Sequence, residues 1–207
     1  MMAEIALTEM EYDALKELGN IGTGHATTAL AEMTGVRIGI SVPNIDIVPI
    51  NRIIGRIVDE DELVAGLFFE LSGGTTGFMQ ILFKEASALA LTDLLMGREI
   101  GSGTTLSGMD ESALKEVGNI LASAFSDAWA KLLGIILLPS PPAFAFDTAG
   151  AVTNHLLTTI GTTVDNAIVF ETSFEGESGI FSGYFLLLPH LESLNNMLAL
   201  LGGQIAE

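Results

Sequence analysis

The sequence predicts a mixed α/β (α+β) fold made by duplication. Two helix-strand-strand-strand-helix units, related by a pseudo-two-fold, contribute their strands to one central sheet of about six, flanked by helices. Three observations predict it. First, Ala14-Leu-Lys-Glu-Leu-Gly-Asn-Ile21 returns 99 residues later as Ala113-Leu-Lys-Glu-Val-Gly-Asn-Ile120, and twelve of the 31 positions from 13 to 43 are identical at that offset. A long repeat present twice denotes a duplicated unit, since a solenoid needs at least about three shorter ones. Second, each copy is followed by the same succession of β-rich runs, a turn and an apolar helix. Third, 207 residues, 49% of them apolar and without a low-complexity tract, can bury a substantial core. The expected organisation is one domain over 1–207, with halves at 8–100 and 106–207.

The elements follow in order. A first helix starts after Thr8, where Thr8-Glu-Met-Glu11 has the capping-box pattern, and stops at Gly35. Its copy starts near Ser107-Gly-Met-Asp110, a weaker version of that cap, and stops at Gly134. Extended segments follow both, Val36–Val48 and Ile135–Phe146. Leu63–Leu71 and Thr76–Phe83 read as strands around Ser72-Gly-Gly-Thr75, and Ala167–Phe174 and Ile180–Leu188 as strands around Glu175–Gly179. Apolar helices close the halves, Glu85–Met96 ending at Gly97 and His190–Leu201 ending at Gly202. Gly101–Thr105 is the linker between halves. Asp147–Leu157 reads as an additional short helix with no counterpart in the first half.

Composition excludes several functions. A net charge of −18 with 8 Lys and Arg in total leaves no basic cluster for nucleic-acid phosphates or an anionic membrane surface. No cysteine is present, so disulfides, thiol catalysis and Cys-ligated zinc are ruled out. No apolar run reaches the roughly 20 residues of a membrane span, and the N-terminus lacks the pattern of a signal peptide. The expectation is a cytoplasmic protein. Gly19-x-x-Gly22-x-Gly24 falls within a helix, does not follow a strand and lacks the Lys-Ser/Thr of a phosphate-binding loop. His25, His155 and His190 have no metal-ligand spacing, and Asp59–Glu62 lacks the calcium-loop pattern. The eight methionines are read mainly as core gap-fillers.

At 100° per residue each repeated helix separates into two faces. Leu15, Leu18, Gly22, Ala26, Ala29 and Met33 lie inward, opposite Asp13, Glu17, Asn20, Gly24 and Thr27. In the second copy Leu114, Val117, Leu121, Phe125, Ala128 and Leu132 lie inward, opposite Ser112, Glu116, Asn119, Ser123 and Ser126. Glu and Asn, three residues apart, are therefore neighbours on an outward face. A solvated helix face would explain one such pair. Two identical pairs are harder to explain that way, because Gly-Asn in mid-helix is a poor choice for helicity. The small residues beside each Asn also leave a low strip that another protein can approach.

Asp/Ser-x-x-x-Glu-x-x-Asn, with Pro 23 residues after the Asn, resembles the signature of the CheC, FliY and CheX phosphatases of bacterial chemotaxis. Asp13, Glu17, Asn20 and Pro43 match it, as do Ser112, Glu116, Asn119 and Pro142. Glu-Leu-Gly-Asn-Ile-Gly-Thr-Gly and Ser-Val-Pro-Asn-Ile-Asp-Ile-Val-Pro-Ile are similar to the CheC branch. Two intact motifs favour that branch over CheX, which carries one, and the length leaves no room for the extra C-terminal switch domain of FliY.

The resemblance implies a phosphatase acting on CheY-phosphate, whose phosphoryl group sits on an aspartate beside Mg²⁺; the protein itself would need no cofactor. Asn20 and Asn119 would position the attacking water, and Glu17 and Glu116 would pair with the active-site lysine of CheY. Pro43 and Pro142 would shape the strand beneath each site, and Asp13 and Ser112 would tune the helix face. It also implies that CheD docks on the short helix after Pro141-Pro142, with Asp147 as a contact. The competing expectation is a non-catalytic adaptor that binds CheD, CheY or both. A like-charged partner implies weak electrostatic steering, so association should depend little on salt.

Overall fold

A computed structural model describes residues 7–35, 38–161, 163–176 and 179–204. In chain order its elements are α1 (Glu9–Thr34), β1 (Gly39–Pro49), a 3-10 turn (Ile50–Arg52), β2 (Leu63–Gly73), β3 (Gly77–Lys84) and α2 (Glu85–Leu95). The second half gives α3 (Gly108–Leu133), β4 (Leu137–Pro139), β5 (Ala143–Thr148), α4 (Ala149–Ile160), β6 (Asn166–Gly176), β7 (Gly179–Pro189) and α5 (Leu191–Gln204).

The two long helices begin and end by the same chemistry. Thr8 Oγ1 accepts from the Glu11 amide at 3.2 Å while the Glu11 carboxylate accepts from the Thr8 amide at 2.8 Å. Ser107 and Asp110 repeat the reciprocal pair before α3. Each helix stops at a left-handed glycine, Gly35 (φ 70°) and Gly134 (φ 65°), where a Cβ would be strained. The second cap, expected to be the weaker, is a complete box. Its Asp110 is 1% exposed and also binds the Arg98 guanidinium.

All strand pairs are antiparallel, in the order β1-β6-β7-β3-β2, with β4 and β5 both lying beside β2 in a sixth lane. Exchanging equivalent strands of the halves and reversing this order returns the same order. The first strand of each half pairs with the second strand of the other, β1 with β6 and β5 with β2. One sheet face packs under α1, α2, α3 and α5, with Leu15, Leu18, Phe69, Phe83, Phe125, Trp129 and Phe170 at its centre. Residues 48–58 and α4 cover the opposite face around Val64, Leu82, Leu156 and Leu186.

Several sequence expectations are corrected. Ile135–Phe146 is two strands rather than one, because consecutive prolines cannot donate to a ladder. Ser140 patches the break, its amide donating to Glu70 O at 2.8 Å and its Oγ accepting from the Glu70 amide at 3.0 Å. The short helix expected over Asp147–Leu157 is α4, shifted to Ala149–Ile160, and the described link after β1 holds only the 3-10 turn Ile50–Arg52. α5 passes Gly202 and runs to Gln204. The expected strand start at Val36 lies outside the described residues.

The junction between halves is clamped rather than loose. Buried Asp93 accepts from the amides of Gly101 (2.9 Å) and Gly103 (3.1 Å) through Oδ2, and its Oδ1 faces Arg98 Nε at 2.9 Å. Burial pushes the Asp93 carboxyl up, but the two amides and Arg98 outweigh it and hold the group below its ordinary value. Asp110 is likewise held low against burial by Ser107 and Arg98.

Candidate functional site

Burial along α1 and α3 resolves one outward stripe on each. Asp13, Glu17, Asn20, Gly24 and Thr28 are exposed on α1, and Ser112, Glu116, Asn119, Ser123 and Asp127 on α3, every member 99 residues from its counterpart. The expected Thr27 is only half-buried, and Ser126 is 1% exposed, its Oγ without a hydrogen-bond partner. The stripe advances by four residues at that level, so Asp127 takes the outward position. Ser126 shares the side of buried Ala122 and Trp129, four before and three after it. Met33, expected inward, is 43% exposed in the last turn of α1.

The glycine before each Asn has a packing reason. A Cβ on Gly19 would meet Val42 Cγ2 at 3.3 Å, and one on Gly118 would meet Leu67 Cδ1 at 2.9 Å. Each helix is thus drawn close to a strand just where its Asn points away. Val42 precedes Pro43 in β1, where the register against β6 shifts between Ser41 and Asn44. Beside β2 the register also shifts by one residue between Pro139 and Ala143, across Pro141 and Pro142. Both motif prolines therefore occupy a β-bulge in an outermost lane, where a missing N–H costs least.

The second copy converges on one place. Ser112, Lys115, Glu116 and Asn119 from α3 face Pro139, Pro141 and Pro142 across an open cleft of about 470 Å³. Lys115 was not singled out by sequence, although Lys16 and Lys115 belong to the repeated octapeptide. Its Nζ lies 2.6 Å from Glu111 Oε1 and 5.9 Å from the centre of the Phe144 ring. In the first copy Asp13, Glu17 and Asn20 are exposed on α1 and Pro43 is exposed on β1, brought near them by the contact of Gly19 with Val42. The methionines, read mainly as core fillers, include two on the surface: Met10 and Met109 are 44% and 70% exposed, one turn before Asp13 and Ser112. Asp147 is exposed at the end of β5; its Oδ1 accepts from the Thr148 amide at 2.7 Å, and Thr148 caps α4.

Chemically, each stripe offers a carboxamide that can accept from and donate to water, with a carboxylate one turn away. Among the described residues no three His, Asp or Glu side chains are grouped as metal ligands. No described helix is long and apolar enough to cross a membrane.

A duplicated sheet carries two exposed Glu–Asn helix faces, each over a proline-bulged strand, and so presents two candidate sites open on the surface. The chain belongs to the CheC-like family, whose model matches residues 10–47 and 109–145, the two helix-and-bulge segments. It is 30% identical to the CheY-P phosphatase CheC of Bacillus subtilis, over 96% of this chain and 97% of that protein. Among solved structures, Thermotoga maritima FliY superposes with a TM-score of 0.79 at 21% identity, covering 97% of this chain and 100% of that one. The FliM middle domain from H. pylori gives 0.68 at 10% identity, over 94% and 99%. These two likenesses concern the fold.

Proposed function

We propose that this protein is a phosphatase of CheY-phosphate in chemotaxis signalling, hydrolysing the aspartyl phosphate of that response regulator. The observation that carries this reading is the duplicated, outward Glu–Asn pair beside a bulge proline, whose second copy lines an open cleft. The likeness to the Bacillus subtilis CheC over nearly its whole length supports it.

Phosphoryl transfer needs positioning and charge stabilisation more than covalent help. CheY contributes the acyl phosphate, its lysine and Mg²⁺. Asn20 or Asn119 accepts a hydrogen bond from a water and holds it in line with phosphorus. The water oxygen forms the new P–O bond, the acyl P–O bond breaks, aspartate leaves as carboxylate, and the water's proton ends on inorganic phosphate. A neutral amide does this without setting another negative charge against the phosphoryl oxygens. Glu17 or Glu116 pairs with the CheY lysine and fixes orientation.

The test is phosphate release from CheY charged with acetyl phosphate, using wild type, Asn20→Ala, Asn119→Ala and the double variant. Acceleration by wild type that vanishes in the double variant supports the proposal. Absence of acceleration with CheY binding retained selects the adaptor. A role in CheD binding belongs to the same proposal, with exposed Asp147, at the end of β5 just before α4, as the contact. Unchanged CheD affinity in Asp147→Ala would remove that assignment.

A further inference from the structure

We infer that Lys115 is a positioning residue of the second site, presenting its ammonium group to an anionic group of the docked phosphorylated regulator. The inference rests on the phosphatase reading for the identity of the partner and on the cleft for everything else. Lys115 is the one cation among the residues lining that cleft, beside Glu116 and Asn119. The chain around it is strongly acidic, with net charge −18 and 8 Lys and Arg in total. An acyl phosphate or a cluster of carboxylates brought to Asn119 meets Glu116 and Glu111 on the same helix. Lys115 is the neighbouring charge that offsets them.

Its placement is specific to this copy. The Glu111 carboxylate at 2.6 Å and the Phe144 ring at 5.9 Å hold the ammonium near the cleft wall. Both members of the ion pair remain about 40% exposed (39% and 41%). Such a pair is weak in water, so the ammonium can exchange Glu111 for an incoming anion at small cost. In the first copy the corresponding positions are Tyr12 and Ile45, so Lys16 has neither a carboxylate where Lys115 has Glu111 nor a ring where it has Phe144. Lys16 is exposed and makes no ion pair among the described residues.

The test isolates each face. Glu17→Arg closes the first face by setting a cation against the regulator's lysine, and Lys115→Met and Lys115→Arg are compared in that background. Lys16→Met is measured with the second face closed by Glu116→Arg. Steady-state phosphate release gives KM and kcat, and titration with unphosphorylated and beryllofluoride-activated CheY gives Kd. Lys115→Met should raise KM and Kd about three- to fivefold with kcat changed by less than about twofold. Lys115→Arg should restore most of the loss, and Lys16→Met should leave its site unaltered. Weakening confined to the beryllofluoride form assigns the contact to the phosphoryl group; equal weakening of both forms assigns it to the carboxylates around it. Unchanged KM and Kd in Lys115→Met, with wild type accelerating release, would overturn the inference, as would an equal loss in Lys16→Met. Should wild type fail to accelerate release, the phosphatase reading falls and the Kd values alone decide Lys115.

Discussion

The two copies display the same residues on the same helical stripe and support them differently. The first stripe stands on a helix capped by its own box, over a strand with a register shift at Val42-Pro43. The second stands on a helix whose cap is tied by Arg98 to the buried Asp93, beside a strand broken by Ser140-Pro141-Pro142. That break forms the wall of a cleft, and Lys115 sits on its rim. Duplication therefore kept the same exposed side chains, the ones proposed to meet the partner, over scaffolds that differ.

If the chemistry is as proposed, the largest effect comes from removing both amides. Asn20→Ala with Asn119→Ala should lower the CheY-dependent rate of phosphate release about a hundredfold or more, since misplacing a reactant by about 1 Å has that order of cost. The cleft predicts unequal shares, with Asn119→Ala alone removing more activity than Asn20→Ala; equal losses would erase the functional side of the comparison.

Next in size is the clamp on the second helix. Asp93→Ala leaves Arg98 short of a partner and the Gly101 and Gly103 amides without an acceptor. It should cost about 3 kcal/mol in urea unfolding. Because the Asp93 and Asp110 carboxyls are held below their ordinary 3.8, their contribution is present above that pH and is lost as pH falls through the depressed values. Wild type should lose stability steeply below about pH 4, and Asp93→Ala should lose less over the same range.

The caps themselves give a smaller contrast. Thr8→Ala should cost about 0.5–1 kcal/mol and Ser107→Ala about 1–2, because only the second removes a partner from a buried carboxylate. Equal costs by thermal denaturation would show that the Arg98 clamp adds nothing to the cap. Smallest is the glycine pair. Gly118→Ala pushes a Cβ to 2.9 Å from Leu67 Cδ1 and should destabilise by about 1 kcal/mol even after the gain in helicity. Gly19→Ala, meeting Val42 at 3.3 Å, should fall within about 0.5 kcal/mol of wild type.

Much of this was legible in the sequence because local signals were strong. Capping residues, terminal glycines and the 99-residue offset were enough to locate both long helices and the outward Glu and Asn. Ser126 was misplaced because a helical wheel treats a face as an arc and cannot see that Trp129 and Ala122 draw that side into the core. The exposure of Met10 and Met109 was not legible, because hydrophobicity alone does not distinguish a core residue from one left on a surface. The clamp at Asp93 was invisible, since it joins residues 93, 98, 101, 103 and 110 only after the chain turns back on itself. Lys115 was visible as a repeated letter and as the i+4 neighbour of Glu111, but not as a cleft residue, because Phe144 and the prolines meet it only in three dimensions.

The pairing of β1 with β6 also constrains how the chain is made. Ile47 finds its partner in Ile168, and Val48 in Ala167, so the earliest strand waits until most of the polypeptide has left the ribosome. Through that interval its amides and carbonyls are bonded to water and open to pairing with another chain, and closing so long a loop makes the step slow. The bulge at Val42-Pro43 interrupts the regular hydrogen-bonding pattern of a waiting edge, a known way to discourage pairing with another chain. The same proline that lies beside the first candidate site thus doubles as a safeguard during synthesis.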